Sequence, residues 1–349
     1  MPLKKFAIPK LKFSFNILGR ARTRVGLDIG NCNLKVIEIE EKKGAFRLVN
    51  ALMKDVKQEK DIPAAIAALF KEAGIANKSV NISVSGEDVV ARHLSLPKMN
   101  EGELKKALVF QLEDHIPFKA DEVYTDYHVM GDEPNSKNRM RVFLVASKKA
   151  LVEQRLKLVR QANLKPQVIT TDALALKNAF YHNYPERLEA NVALLNIGDK
   201  ISNLIIAREK IPYFVRDTRF GGEMITDLIQ TKAQVDKPAA ESLKTNPQSA
   251  TPEITEIIKT AMGSLLNEIF VSLDFYENLT EQRIDEIYIT GGSSKLPGLK
   301  EFLSGYLNFK IIPLESLKNF AFSPGLSADA LGKISHYLTV AIGLALEEA

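Results

Sequence analysis

One cysteine, no tryptophan and no long apolar run mark what this chain of 349 residues is short of. A single Cys32 excludes an intrachain disulfide and a multi-cysteine metal site, and it fits a reducing compartment. The best apolar run, residues 337–346, is about ten residues long, half of what a bilayer crossing needs. The N-terminus is no secretion signal, because Lys10 and Lys12 interrupt any apolar stretch. The histidines His93, His115, His128, His182 and His336 stand at no metal-ligand spacing. No nucleophile triad, Walker phosphate loop or Rossmann G-x-G-x-x-G is present. Beyond the start, neither sign of charge is in large excess. The net charge is +4, yet Lys4, Lys5, Lys10, Lys12, Arg20, Arg22 and Arg24 stand in residues 1–24 without an acid, leaving the rest mildly acidic. That balance argues against a nucleic-acid partner. In the basic leader Leu11, Phe13, Phe15 and Ile17 alternate with polar residues. It reads as a solvated tail or as a weak contact with anionic lipid, at ~1 kcal/mol per basic residue.

What the chain does have is one element written twice. Residues 25–39, Val-Gly-Leu-Asp-Ile-Gly-Asn-Cys-Asn-Leu-Lys-Val-Ile-Glu-Ile, lie over residues 193–207, Ala-Leu-Leu-Asn-Ile-Gly-Asp-Lys-Ile-Ser-Asn-Leu-Ile-Ile-Ala. Asp28 meets Asn196, Gly30 meets Gly198 and Ile37 meets Ile205. Each copy predicts a buried strand, a glycine turn and a second strand. Such a turn offers successive backbone N–H groups to an anion, with no Cβ in the way. A pair of them can hold a polyphosphate from two sides. A third element, residues 285–299, predicts a strand, a Gly291-Gly292-Ser293 turn and a helix start near Pro297.

A length of 349 residues implies two or more domains. The pattern predicts a helix over 62–70 and a strand over 79–85. Residues 91–165 read as an α+β insert: helix 101–116, strand 123–130, turn 131–138, strand 141–147 and helix 149–162. Residues 167–190 read as strand then helix, and 220–230 open another helix. Residues 231–253 suggest a small helical lobe with a mobile loop at 246–252. Long helices follow over 254–277 and 328–347.

The order Asp-Ile-Gly (28–30), second glycine hairpin and Thr-Gly-Gly (290–292) resembles the actin, Hsp70 and sugar-kinase superfamily. Residues 113–127, 171–180, 220–226 and 272–276 are similar, in the same order, to motifs of its PilM branch, the type IV pilus assembly proteins related to FtsA. The resemblance covers 24–349. It implies an α/β, actin-like (ribonuclease H-like) two-domain fold with a small α+β subdomain inserted in the first half. The expected layout is a leader over 1–24 and a first half over 25–190 carrying the insert 91–165. A second half over 191–349 has a small lobe near 221–255, and its last helix packs back on the first half.

The same resemblance implies ATP and Mg²⁺ as cofactors. Asp28 would stand near the metal and the lytic water, and Lys35 would reach the phosphates or serve as an ordinary strand lysine. Gly30, Asn31, Cys32 and Asn33 would form the first phosphate turn, and Asn196, Gly198 and Asp199 the second. Gly221, Gly222, Gly291, Gly292 and Ser293 would flank the adenosine. Glu241 and Lys244 would touch ribose and base, or belong to a solvated helix turn. Asp172 would orient the attacking nucleophile or cap a helix. Asn196 departs from the family's carboxylate, and an amide supplies no charge to hold hydrated Mg²⁺, so slow or absent hydrolysis is expected. The implied partner is the N-terminal cytoplasmic tail of a PilN-like inner-membrane protein near the insert, with other pilus platform or motor proteins around it. The implied place is cytoplasmic, peripheral at the inner membrane. A small-molecule kinase with Asp172 as base, an FtsA-like filament or membrane tether, and the cytoplasmic domain of type II secretion protein L are the alternatives. The insert argues against the kinase. The short acidic end at Ala349 argues against an FtsA-like tether, and the lack of an apolar span argues against the secretion protein.

Overall fold

The computed structural model describes residues 22–56, 60–133, 136–246 and 251–348. The basic leader up to residue 21 and most of the expected loop at 246–252 lie outside the described residues.

The first hairpin is buried on both faces along its middle, where Val25 and Leu27 of one strand and Leu34, Val36, Ile37 and Ile39 of the other supply the apolar side chains. Strands β1 (Arg22–Ile29) and β2 (Asn33–Lys42) pair antiparallel with Asp28 opposite Lys35. With β3 (Ala45–Asp55), β4 (Ser79–Val84), β8 (Lys165–Thr171) and β14 (Ala321–Phe322) they form a sheet of order β14-β3-β2-β1-β4-β8. One face, carrying Val25, Leu27, Leu34 and Val36, packs on helices α1 (Ile62–Glu72) and α3 (Lys149–Gln161). Helix α1 starts where Asp61 accepts the Ala64 N–H and a proline occupies the first turn. The other face, Ile37, Ile39 and Leu48, packs on Leu338, Ala341 and Ile342 of α9 (Ala328–Leu346).

The second sheet has the order β11-β10-β9-β12-β13, built from β9 (Val192–Ile197), β10 (Ser202–Arg208), β11 (Ile211–Thr218), β12 (Glu286–Thr290) and β13 (Ile311–Pro313). Its inner face, with Leu194, Ile205 and Tyr288, receives Leu176 and Phe180 of α4 (Asp172–Asn183). Its outer face is covered by α5 (Gly222–Ala233), α7 (Pro252–Thr280) and α8 (Leu299–Leu307), and α6 (Lys237–Thr245) contacts α5. The halves thus exchange helices. Helix α4 leaves the first half and covers the second sheet, whereas α9 leaves the second half and covers the first. The two cross in backbone contact, since a Cβ on Gly343 would drive into the Ala175 carbonyl.

The insert is a sheet of order β5-β7-β6, made of β5 (Val89–Pro97), β6 (Val123–Glu133) and β7 (Ser136–Lys148). Helix α2 (Glu101–His115) lays Leu104, Leu108 and Leu112 on it and opens with a capping box between Asn100 and Glu103. Its boundaries differ from 91–165. Strand β5 adds residues from Val89, with only Leu94 and Leu96 fully turned inward to betray it. Helix α3 and β8 belong to the first half, because Val159 and Ala162 fill the core under β1 and β2. The turn expected over 131–138 is largely strand, β6 running to Glu133 and β7 starting at Ser136. The insert's two ends are adjacent, with the Lys148 N–H donating to the Asp88 carbonyl at 2.9 Å. On its other side β5 meets β11, where the His93 ring stacks on Tyr213 at 6.3 Å.

Candidate functional site: the cleft between the halves

The two glycine hairpins turn toward each other across a cleft of about 690 Å³, a size typical of small-molecule sites. The overlay of the two copies holds at atomic level. Gly30 N–H donates to the Asn33 carbonyl at 3.2 Å, and Gly198 N–H to the Ile201 carbonyl at 3.1 Å. Asp28 pairs across its hairpin with Lys35, and Asn196 pairs in the same way with Asn203.

The structure brings nearly all the expected residues to this one cleft. Asp28, Gly30, Asn31, Cys32, Asn33 and Lys35 line it from the first hairpin, and Asn196, Gly198 and Asp199 from the second. Asp172, Gly222, Glu241, Lys244, Gly291, Gly292 and Ser293 complete the wall. Gly221 stands behind it, packed so closely on Asp199 that a Cβ would overlap the Asp199 carbonyl. Beside it, Gly222 and Glu223 donate their N–H groups to the carbonyls of Gly198 and Asp199, each at 2.9 Å. The start of α5 is thereby stitched to the second phosphate turn. Gly291 sits at φ 92°, a left-handed conformation that favours glycine, and donates its N–H to the His336 carbonyl at 2.9 Å.

Lys35 is no free strand lysine. Its Nζ lies 2.9 Å from Asp28 Oδ2, with side chains only 11% and 13% exposed. Lys244 is 5% exposed and donates to Glu241 Oε2 at 2.8 Å, Thr226 Oγ1 at 2.8 Å and the Gly222 carbonyl at 3.1 Å. That corrects the solvated-helix reading, since the pair faces inward and ties α6 to α5. The helix-cap reading of Asp172 is also corrected. Thr171 caps α4, accepting from Leu174 N–H at 3.3 Å, while Asp172 accepts from Ser83 Oγ at 2.5 Å. Burial, with the Asp28 charge added, raises the Asp172 pKa above the usual carboxylate range.

Other cleft residues came with no sequence signal. Asp55, Ser83, Ser85, Arg155, His336 and Tyr337 line the cleft from segments that carry no turn motif. Arg155 Nη1 donates to the Ile29 carbonyl at 2.8 Å. Burial lowers the His336 pKa to about 4, with Lys295 adding to the effect. Asp217 was missed as well. It lies on β11, where it accepts from Asn203 Nδ2 at 2.8 Å and from Gly86 N–H at 2.6 Å. Burial raises its pKa to about 7 against those two donors, and the Asp172 charge contributes. Asn203 alone was within reach of the sequence, because the overlay sets it opposite Lys35.

Among the described residues no helix is long and apolar enough to cross a membrane. The profile of the family described as type IV pilus assembly protein PilM matches residues 26–349. A solved PilM-PilN type IV pilus biogenesis complex aligns over 93% of this chain and 97% of that chain, at 25% identity and a TM-score of 0.82. The cell division protein FtsA of Streptococcus pneumoniae serotype 2 (strain D39 / NCTC 7466) is 24% identical across 86% of this chain and 78% of its own length. MreB5 of Spiroplasma citri bound to ADP shares the fold, with a TM-score of 0.52 at 9% identity over 92% of this chain and 94% of that chain. The fold is actin-like, and the chain belongs to the PilM family of type IV pilus assembly proteins.

Proposed function

We propose that the cleft binds ATP with Mg²⁺ as a conformational ligand, and that the chain holds the N-terminal tail of a PilN-like membrane protein. The observation that carries the nucleotide reading is the matched pair of turn hydrogen bonds at Gly30 and Gly198, facing one cleft from opposite halves. These bonds use up the Gly30 and Gly198 N–H groups and close each turn, so that backbone N–H groups of the residues inside the turn would meet phosphate oxygens whatever the neighbouring side chains are. Lys35 supplies the cation on the first side. Gly222, Gly291, Gly292 and the Glu241–Lys244 pair bound the end where a nucleoside would lie. No group of three or more acidic, histidine or cysteine side chains among the described residues is placed to hold a metal alone. Mg²⁺ keeps most of its waters and leans on phosphates, and Asp28 would be the protein's carboxylate beside it. Bound there, the ion would neutralise phosphate charge.

Turnover is slow or absent in this reading. Asn196 brings no charge to the second turn, and Asp172 is already engaged by Ser83. Recruitment to the cytoplasmic face of the inner membrane then comes through the PilN-like tail. Contact of residues 1–24 with lipid adds to it weakly, and other platform or motor proteins join the same assembly. Mass spectrometry of ligand retained by the purified protein, followed by calorimetry with Mg-ATP, tests the proposal. Retained ATP or ADP is expected, with hydrolysis far below the ~1–100 per second of ordinary kinases. No detectable binding of either nucleotide at millimolar concentration would remove the nucleotide reading.

A further inference from the structure

At the position of Asn196 the second hairpin carries an amide, but the second sheet carries a carboxylate two strands further out, on β11. In the first sheet the row across β1, β2 and β3 runs Asp28, Lys35, Met53, and the ion pair closes within the hairpin. The matching row across β9, β10 and β11 runs Asn196, Asn203, Asp217, each directly opposite the next. Hydrogen bonds follow this row without a gap. Asn196 Nδ2 donates to Asn203 Oδ1 at 2.8 Å, and Asn203 Nδ2 donates to Asp217 Oδ1 at 2.8 Å.

The direction of that chain is set at its Asp217 end. An ionised carboxylate only accepts hydrogen bonds, whereas an amide has one accepting and one donating end. Ionised, Asp217 therefore forces Asn203 to present its NH₂ outward and its oxygen to Asn196, the arrangement that the two 2.8 Å bonds show. Asn196 must in turn give its NH₂ to Asn203. The Asn196 oxygen is left on the cleft side, against Gly291, 2.5 Å from where a Cβ on that glycine would stand. We propose that Asp217 is a positioning residue of the cleft, which through Asn203 turns the Asn196 side chain so that an acceptor oxygen faces the ligand.

The consequence for the site is chemical. With its oxygen inward, Asn196 accepts from the water shell of a cation; with its NH₂ inward, it would donate to a phosphate oxygen instead. The arrangement returns to the second turn part of what a carboxylate there would supply, an acceptor without the charge. Asp217 has a second contact that makes the relay an inter-half one. Its Oδ2 accepts the Gly86 N–H at 2.6 Å, and Gly86 belongs to the link between β4 and β5. One donor from each half thus favours the ionised, acceptor-only form of Asp217, which prevails above its pKa. Its pKa of about 7 reflects burial and the Asp172 charge working against those donors. What Asn196 faces rests on the proposed nucleotide reading, whereas how Asn196 is turned rests on the row of side chains alone.

Two measurements separate these layers. In ligand-free protein labelled with ¹⁵N-asparagine, the side-chain NH₂ signals of Asn196 and Asn203 are compared between wild type, Asp217→Asn and Asn203→Ala. Both variants are expected to shift the Asn196 signal, and an unmoved Asn196 signal in folded variants overturns the relay. Should Asp217→Asn fail to fold by its melting curve, Asn203→Ala, which leaves the Asp217–Gly86 bond intact, decides the question. Calorimetry then reads the gain in ADP affinity on adding Mg²⁺ over the value in EDTA. That gain is expected to fall roughly three- to tenfold in both variants, the net worth of about one neutral hydrogen bond. A loss in Asp217→Asn without one in Asn203→Ala means that Asp217 acts through Gly86, and the relay is wrong. If wild type binds no nucleotide, the reading of the cleft fails, while the amide signals still decide how Asn196 is held.

Discussion

Lys35 illustrates how a residue legible in the sequence acquires its meaning from a partner. The resemblance placed it within reach of the phosphates, and the structure adds an ion pair with Asp28 at 2.9 Å that is largely withdrawn from water. Lys35→Ala is expected to weaken nucleotide binding by roughly one to two powers of ten, from a lost charged contact of ~1.5–3 kcal/mol. Calorimetry on the folded variant checks this, and equal affinities would take Lys35 out of the site. Asp217 had no such legibility, because no turn glycine or local spacing links β11 to a phosphate turn. Its pKa of about 7, above the ordinary 3.8, means the folded protein keeps a proton that the unfolded chain has released over that range. Its contribution to stability is full below about pH 4 and is lost as pH rises to 7. Relative to wild type, Asp217→Asn should therefore gain stability with rising pH, by up to ~1.4 kcal/mol per unit in that window. His336 works the opposite way. Held neutral with a pKa of about 4 instead of 6.5, it contributes fully above pH 6.5 and loses that contribution as pH falls toward 4. Denaturant titrations from pH 4 to 8 should show a flatter acid limb in His336→Gln and the rising difference in Asp217→Asn. Parallel pH profiles for the variants and wild type would refute both.

Elements were read best where burial wrote them into the chain. Strands β9 and β10 lie between layers of helices and announce themselves by short apolar runs, and β1 and β2 by the glycine turn between paired apolar stretches, while β5 carries a polar face and does not. The crossing of α4 and α9 was invisible for another reason. Nothing in one helix's sequence states that Gly343 touches the Ala175 backbone 168 positions away; two glycines of α9 read alike but stand in unlike surroundings. Gly343→Ala should cost ~3 kcal/mol or more, because the Ala175 backbone leaves the methyl no room. Gly332→Ala, with nothing within 4 Å, should stabilise the same helix by ~0.4–1 kcal/mol. Unfolding free energies of the two variants test this, and a similar sign for both would contradict the crossing.

At the scale of the molecule, the insert is a unit with adjacent ends. Joining Asp88 to Lys148 through a short glycine linker in place of 89–147 removes the β5-β7-β6 sheet and α2 while sparing α3 and β8. Removing 91–165 would take α3 from under β1 and β2 and bring down the first half. The shorter deletion is expected to keep nucleotide binding and lose a PilN-like N-terminal peptide. In the full chain, saturating peptide and ATP should change each other's affinity by one common factor, ~1–3 kcal/mol in coupling. A folded deletion variant that still captures the peptide would move the docking site elsewhere.

The exchanged helices also impose an order in time on a chain made from one end. Ile37, Ile39 and Leu48 of the first hairpin and its neighbour wait for α9 to cover them, and roughly 270 residues separate β3 from that helix. At ~5–20 residues per second, the nascent first sheet stays bare on one face for ~15–55 s after it leaves the ribosome. The first half of this molecule therefore cannot mature ahead of the second. Both complete together, when α9 arrives, and until then Ile37, Ile39 and Leu48 stay uncovered on one face of the first sheet.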